Sequence, residues 1–428
     1  MPQDLAFEIL HDHSSGYAVL PPQRNGADAG RPTDGPRDLK VLLLRNGVDR
    51  VEIVAWSPGA PSPSTRQHRA RLSVPYQTLV RHGARLRSVW RDTLVNHQNT
   101  STDNGYKVGS YPLSEFADLS DLSSLTDELT AELADEGFDL LNVLLEGTDR
   151  NIRSFRAYFL ETLTGGESLR ISFDSPDLYL PWPMLAVNPE DCASPWEAFL
   201  GYRHQVEQTG ASYAWPQGLL GPRAQAATSL NTDTLLDQVG RAPEVRKLLE
   251  ERSRLTVRTE ARDLLHALSG PILSEDLMYF WCHGHFVDNG SPHPHLAIKL
   301  SDSRHIDAPS VRRKRRAFED STGSRFKPFV LLNACHSGQA AASGELEHLG
   351  NALIELGADG VLGPQIEIPE VFAAEYAYAF LDLYLSGQHT AGEIGQILVR
   401  RFAADFHNPL ALTYSLHCGM NSRLDLAS

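Results

Sequence analysis

The chain contains two apolar runs that end at residues able to carry out acyl transfer. The run Phe329–Ala334 stops at Cys335, and the aromatic-rich run Leu277–Cys282 stops at His283 and Gly284. A cysteine attacks a carbonyl carbon as its thiolate, and a free thiol titrates near ~8.5, so it needs a neighbour that can take its proton. Cys335 and His283 are therefore a candidate nucleophile and general base.

Both residues need a strand that delivers them to a common edge. Each run is short and ends at turn residues such as Ser337 and Gly338, which is typical of a buried parallel strand. In open α/β sheets the reacting groups lie at the carboxyl ends of such strands. The alternation of strand-like and helix-like segments predicts an α/β fold with a central, mostly parallel sheet flanked by helices.

Other readings of these residues compete with the dyad. A single cysteine at the end of an apolar strand is most often a small buried hydrophobe, and a single histidine there is more often structural. Their occurrence as an ordered pair favours the dyad. His285 is a rival base because it shares the side of the strand on which His283 lies, but Phe286 follows it instead of a glycine.

Four segments of the sequence resemble blocks of the CHAT branch of the caspase-like cysteine peptidases. They are similar to its cysteine strand, the following helix, the next strand and a Pro-Trp block that precedes the histidine: Leu331–Ser337, Leu349–Gly357, Ala358–Gly363 and Phe173–Leu185. His283 precedes Cys335 by 52 positions, which matches the caspase order and spacing. The resemblance covers roughly Phe138 to the C-terminus.

The resemblance implies a caspase-like three-layer sandwich and a Cys-His dyad. Cys335 would attack the peptide carbonyl, while His283 would activate the thiol and protonate the leaving amine. The N–H groups of Gly284 and Cys335 are the implied oxyanion hole, and a glycine also lets substrate backbone approach closely. No third, orienting residue is identifiable from the sequence.

Two residues are candidates for the S1 pocket. Metacaspases, which share the Cys-His-Ser-Gly turn, resemble this site but carry an aspartate two positions before the cysteine. Here that position is Asn333, so a strict preference for Arg or Lys at P1 is not expected. Glu367 is the candidate that restores negative charge, and an ordinary exposed carboxylate is the competing reading.

Composition narrows the function classes. The 428 residues carry a net charge of −15, which disfavours a nucleic-acid partner. Neither a secretory leader nor a run of ~18 apolar residues is evident, so a soluble, cytoplasmic protein without a membrane partner is expected.

The cysteines and histidines do not predict a metal or disulfide framework. Four cysteines are widely spaced without a CxxC pair, which suits a reducing compartment. His293 and His295 form an HxH pair without an acidic or cysteine partner at a zinc spacing, so a loop is favoured. No phosphate loop or dinucleotide fingerprint is present, and we expect neither metal nor cofactor.

The chain is predicted to contain three regions. Residues 1–37 form an N-terminal extension and flexible linker, residues 38–220 the non-catalytic half of the caspase-like region, and residues 221–428 its catalytic half.

Secondary structure is predicted most clearly in the first half. Strands at Leu39–Arg45 and Val51–Trp56 flank an Asn-Gly turn, which is a hairpin signal. Asp118–Glu136 is predicted to be a helix, and Phe138–Leu145 a strand.

The predicted function is a cysteine endopeptidase that cleaves a specific partner protein under the control of an activating partner or ligand. Resemblance to CHAT proteases implies a role in bacterial defence or conflict, with a pore-forming or toxin-like neighbour protein as substrate. A catalytically silent scaffold or binding module on the same fold is the alternative. The basic run Arg312–Arg316 is either a solvated loop or helix, or a contact for a partner or anionic activator.

Overall fold

The computed structural model describes residues 37–57, 67–175, 178–210, 224–270, 272–287, 295–315, 327–336 and 345–426. Residues Gly35–Ser428 belong to one compact unit. The strands are β1 (Leu39–Asn46), β2 (Arg50–Trp56), β3 (His68–Arg71), β4 (Arg170–Asp174), β5 (Gln205–Thr209), β6 (Ala226–Thr232), β7 (Ser253–Arg258), β8 (Leu277–Val287), β9 (His295–Lys299), β10 (His305–Asp307), β11 (Phe329–His336), β12 (Gly360–Pro364) and β13 (Tyr414–His417). The α-helices are α1 (Tyr76–Trp90), α2 (Pro112–Glu115), α3 (Ser123–Leu144), α4 (Arg150–Thr164), α5 (Leu200–Arg203), α6 (Ala242–Arg252), α7 (Ala261–Leu268), α8 (Ala308–Arg315), α9 (Glu345–Glu355), α10 (Glu370–Tyr384) and α11 (Ala391–Asp405).

All of these strands join one sheet, in the order β10-β9-β8-β11-β12-β13-β5-β4-β1-β2-β3, with β6 beside β8 and β7 beside β6. Strands β7, β6, β8, β11 and β12 run parallel to one another. Strands β13, β5, β4 and β1 form a second parallel set. Because β12 and β13 pair antiparallel, the two sets run in opposite directions within one sheet. The predicted central, mostly parallel sheet flanked by helices is confirmed.

Helices cover both faces of the sheet around β8 and β11. Alternate residues of β8 enter different cores: Phe280 packs with the cluster that includes Leu349 of α9, whereas Tyr279 packs with the cluster that includes Phe380 of α10. Burial on both faces explains why these central strands read as continuous apolar runs. The result is a three-layer arrangement of helices, sheet and helices.

The Pro-Trp block contributes to the core of the second parallel set. The Trp182 ring stacks on Phe173 of β4, with ring centroids 3.7 Å apart and planes inclined by 5°. Trp182 is almost fully buried. The block therefore fastens the chain that follows β4 onto the sheet.

Two of the early secondary-structure predictions have different outcomes. The predicted hairpin is confirmed as β1 and β2, joined by a turn in which Gly47 has a φ of 77°. The predicted strand at Phe138–Leu145 is wrong, because α3 continues through it to Leu144. Its buried leucines also fit helical spacing, and Gly137 lets the helix pass against the backbone of Met184.

The predicted division at residue 220 stays a prediction. Strands from residues on both sides of it share the sheet, since β13 lies between β12 and β5. The predicted extension, residues 1–37, lies outside the described residues except for Arg37.

Candidate active site

The two candidate catalytic positions face each other across a pair of neighbouring strands. In the parallel ladder between β8 and β11, Cys335 is paired directly with His283, and His336 with Gly284. Adjacent strands of a sheet lie ~4.8 Å apart, so the backbones of Cys335 and His283 are as close as parallel strands allow. The side chain of Cys335 lies outside the described residues.

Strand β8 changes neighbours at His283. Residues 277–281 pair with β6, whereas residues 283–287 pair antiparallel with β9. The prediction that the strand ends at His283 and Gly284 is therefore wrong, because β9 supplies the hydrogen-bonding partner that lets β8 continue to Val287. His283 is the first residue of β8 that pairs with β9, and it lies two residues beyond the last one that pairs with β6.

The turn that follows β6 is tied to β8 at this junction. The backbone N–H of Asp233 donates to the carbonyl of Trp281 at 3.0 Å. The Trp281 indole N–H donates to the carbonyl of Leu236 at 3.0 Å. The Asp233 carboxylate accepts from the backbone N–H of Leu235 at 3.1 Å and so caps the short 3-10 turn Thr234–Leu236.

This turn brings a carboxylate to His283. The Asp233 Oδ2 atom lies 4.0 Å from His283 Nε2, and the exposed fractions of the two side chains are 9% and 29%. The other ring nitrogen of His283, Nδ1, is buried and has no hydrogen-bond partner in the described part of the chain. One nitrogen thus faces a carboxylate, and no described group is hydrogen bonded to the other.

Sequence reasoning missed Asp233. Strand β6, whose sequence is Ala-Ala-Thr-Ser-Leu-Asn-Thr, lacks the apolar run that marks a central strand, although every residue in it is buried. A signal was nevertheless present, because Asp233 occupies a capping position typical of aspartate at the start of a helical turn.

The rival base His285 is engaged elsewhere. Its Nε2 is hydrogen bonded to Nδ1 of His305 on β10, with ring centroids 4.4 Å apart. Strand β9 separates the backbones of these two residues, and its Lys299 is paired directly with both His283 and His305. His285 thus points toward β10, away from β11.

The cysteines whose side chains are described are poor nucleophiles. Burial raises the pKa of Cys282, and the nearby Asp233 charge raises it further. Burial likewise raises the pKa of Cys192 and Cys418. A raised pKa keeps a thiol protonated and inert at neutral pH.

Asn333 makes structural contacts. Its side chain is 0% exposed. Its Nδ2 donates to the carbonyl of Ala373 in α10 at 2.9 Å, and its Oδ1 accepts from the Tyr414 hydroxyl at 2.7 Å. Each end of the amide thus makes a hydrogen bond that joins β11 to α10 or to β13, and the side chain is fully buried in this arrangement.

Glu367 follows β12 on the way to α10. Because β11 and β12 are parallel, Glu367 and Cys335 belong to the same edge of the sheet. Its exposed fraction is 8%, which argues against the reading as an ordinary exposed carboxylate.

The basic run begins inside α8. Arg312 forms two hydrogen bonds with the carboxylate of Glu355 in α9, at 2.7 and 3.1 Å. Arg313 and Lys314 are exposed. Arg316 lies outside the described residues, so the described surface offers two unburied cations from this run.

The described residues offer little support for other kinds of site. No group of three or more His, Cys, Asp or Glu side chains among the described residues is arranged to hold a metal ion. His293 lies outside that set, as does the side chain of His295. None of the described helices combines the length and apolar character needed to cross a membrane.

Comparison with known proteins places the chain in a family. It is 28% identical over 139 residues to a probable protease of Vitiosangium sp. (strain GDMCC 1.1324), an overlap that covers 32% of this chain and 17% of that relative. The profile of the CHAT domain family matches residues 161–392, and this chain is a member of the CHAT domain family.

Two solved structures are similar in outline. Separase in the Saccharomyces cerevisiae separase–securin complex at 3.0 Å resolution has a TM-score of 0.41 and 10% identity, with 89% of this chain and 30% of that chain covered. The Arg-specific cysteine proteinase gingipain R has a TM-score of 0.38 and 9% identity, with 63% and 68% covered. The chain thus spans less than a third of the separase chain and 17% of the curated relative.

Proposed function

We propose that this protein is a cysteine endopeptidase in which Cys335 is the nucleophile and His283 the general base. The observation that carries the proposal is the direct pairing of these two positions in adjacent parallel strands. Membership of the CHAT domain family supports the same reaction class.

The proposed reaction is acyl transfer through a thioester. His283 takes the thiol proton, and the Cys335 sulfur attacks the carbonyl carbon of the scissile peptide. The carbon–nitrogen bond then breaks as the imidazolium returns its proton to the leaving amine. Water, deprotonated by His283, hydrolyses the thioester and regenerates the thiol. Donors from the N–H groups of Gly284 and Cys335 would stabilise the oxyanion.

Substrate choice is the second part of the proposal. Glu367 is the S1 candidate that we favour over Asn333, because it follows β12, which runs parallel to β11 toward the same edge of the sheet as Cys335. A carboxylate there would favour a basic P1 residue.

We further propose that the target is a specific partner protein and that the setting is bacterial defence, in the cytoplasm. A pore-forming or toxin-like neighbour protein is the proposed substrate. An activating partner or ligand would order the cleft and so prevent indiscriminate cleavage.

The test is proteome-wide cleavage. Wild type, Cys335→Ala and His283→Ala are each incubated with a cell lysate, and new N-termini are sequenced to give both activity and P1 residue. Cys192→Ala is the matched control, since Cys192 is a half-buried cysteine remote in sequence from both positions. Cleavage in wild type and Cys192→Ala, and none in the other two, is expected. Cleavage that requires neither residue would refute the dyad, whereas a failure of every lysate and candidate partner to be cleaved would favour the silent scaffold.

A further inference from the structure

We infer that Asp233 is the positioning residue of the site, and that it makes Nδ1 of His283 the proton acceptor. The inference rests on the proposed function for its chemical meaning. It adds a third group to what the sequence presented as a dyad.

The two oxygens of Asp233 have separate tasks. One oxygen accepts the Leu235 N–H at 3.1 Å, which fixes the rotation of the carboxylate. The other, Oδ2, is then directed to His283 Nε2 at 4.0 Å. A small movement of the imidazole closes this gap to a hydrogen bond, and contacts of this kind are often long in unliganded sites.

The position of Asp233 is set by the strand that carries His283. The backbone N–H of Asp233 donates a hydrogen bond to the carbonyl of Trp281, two residues before His283. The indole N–H of Trp281 in turn donates to the carbonyl of Leu236 in the same turn. A third bond, from the Thr234 N–H to the Ser301 hydroxyl at 2.9 Å, ties the turn to the chain that follows β9. These three hydrogen bonds hold the turn beside the part of β8 that carries His283.

This geometry selects the tautomer of the histidine. A carboxylate can only accept, so the favoured neutral form of His283 carries its hydrogen on Nε2 and leaves the Nδ1 lone pair as the base. Nδ1 is buried without a partner in the described part of the chain. The tautomer is thus set by the hydrogen bond that the other nitrogen makes.

The charges around His283 give Asp233 a second effect. Lys299 of β9 is paired directly with His283, so the neighbouring strand carries a basic residue at this position. His285 lies two residues along the same strand. Among described residues, Asp233 is the acidic side chain within ion-pair distance of His283. It therefore stabilises the imidazolium that forms when the thiol is deprotonated.

The experiment compares substitutions in one turn. Asp233→Asn removes the charge and retains an oxygen for the Leu235 N–H. Asp233→Ser retains an oxygen that can accept from the Leu235 N–H but lacks the oxygen that faces His283. Asp237→Asn is the control because it removes the same charge from a carboxylate that accepts from Thr232 and lies 3.9 Å from Arg246.

The first readout is alkylation of Cys335 by iodoacetamide as a function of pH, followed by peptide mapping so that each cysteine is counted separately. Loss of the imidazolium partner should raise the pH of half-maximal alkylation by ~1 unit in both Asp233 variants. Alkylation at neutral pH should accordingly slow about tenfold. Asp237→Asn should follow wild type.

The second readout is the kinetics of cleavage of a peptide taken from the wild-type cut sites. We expect kcat to fall by at least about tenfold in Asp233→Asn with KM nearly unchanged, since Asp233 is buried and acts through His283. Alkylation profiles identical to wild type in both folded Asp233 variants would overturn the inference, even if Cys335-dependent cleavage is found. A shifted profile without any cleavage by wild type would instead retain the inference and overturn the proposed function.

Discussion

Replacing Asn333 by Asp tests whether this position belongs to the core or to a substrate pocket. A pocket residue would tolerate the change and gain a preference for basic P1 residues. In the structure the amide is fully buried and bonded at both ends. An aspartate there faces the Ala373 carbonyl, to which only its protonated form can donate.

The expected cost follows from the carboxyl group's titration. Burial and the facing carbonyl should raise its pKa in the folded state above the ~3.9 of an unfolded chain. The native state then binds more protons than the unfolded state, so stability falls as pH rises above ~3.9. Each pH unit costs about 1.4 kcal/mol until the folded pKa is reached. With a folded-state pKa at or above about 7.5, the variant should lose ~3 kcal/mol more than wild type between about pH 5.5 and about pH 7.5.

The assay is denaturant unfolding of both proteins at the two pH values. Asn151→Asp is the matched control, because Asn151 is exposed in the first turn of α4, where a carboxylate is well solvated and favourably placed. It should show no added loss at the higher pH. An Asn333→Asp protein as stable as wild type at both pH values, with increased cleavage after Lys or Arg, would refute the core assignment and restore Asn333 to the S1 pocket.

Three further predictions concern packing, titration and recognition. Gly137→Ala should destabilise the fold by about 1–3 kcal/mol because the added carbon meets the Met184 carbonyl oxygen. Gly395→Ala in α11 is the control, because its added carbon meets nothing within 4 Å and the change should be neutral or slightly stabilising. Thermal unfolding of the two variants measures the difference. Burial, and secondarily the charge of Arg87, lowers the pKa of His417 to about 4. The stabilisation by neutral His417 is therefore present above about pH 6.5 and is lost as the pH falls toward about 4. His417→Gln should flatten this pH dependence of the free energy of unfolding, and an unchanged slope would contradict the prediction. Replacing the exposed residues Arg313 and Lys314 by Ser should slow cleavage of the natural target at low salt without changing the alkylation of Cys335. Arg312→Ser should in addition lower the stability of the fold, because it removes the contact with Glu355. Equal cleavage rates in wild type and the variants would indicate that the basic run is an ordinary solvated surface.

The strands that carry Cys335 and His283 were predictable from sequence because they are buried on both faces. Burial on both faces requires consecutive apolar residues, and β8 and β11 contain them. The family was predictable as well, because its blocks are local stretches of sequence. The hydrophobic pattern gave the wrong element at Phe138–Leu145, because the leucines there fit either a short strand or the end of a helix.

Other features depend on contacts between residues distant in the chain. Strand β6 is polar in sequence. Its buried Asn231 side chain donates a hydrogen bond to the carbonyl of Tyr279 on β8 at 3.3 Å, which compensates for the loss of contact with water. Without that pairing nothing marked β6 as a strand or Asp233 as a neighbour of His283. The opposite directions of the two parallel sets likewise depend on the pairing of β12 with β13, which no local pattern encodes.

The contacts of Asn333 could not be predicted from sequence for a related reason. Its place two residues before Cys335 matched a specificity position in similar enzymes, but its environment is set by α10 and by Tyr414, 81 residues further along the chain. Residue spacing within a strand shows which positions share a face. It does not show what covers that face.

The most direct test of the central claim is to look for the covalent intermediate. A cleavage reaction of wild type with an identified peptide substrate is quenched in acid during turnover and mapped by mass spectrometry. We predict a thioester-linked acyl fragment of the substrate on the peptide that contains Cys335, and no such adduct on Cys192, Cys282 or Cys418. Undiminished cleavage of the same peptide by Cys335→Ala, or an adduct on another residue, would contradict the assignment of Cys335 as the nucleophile.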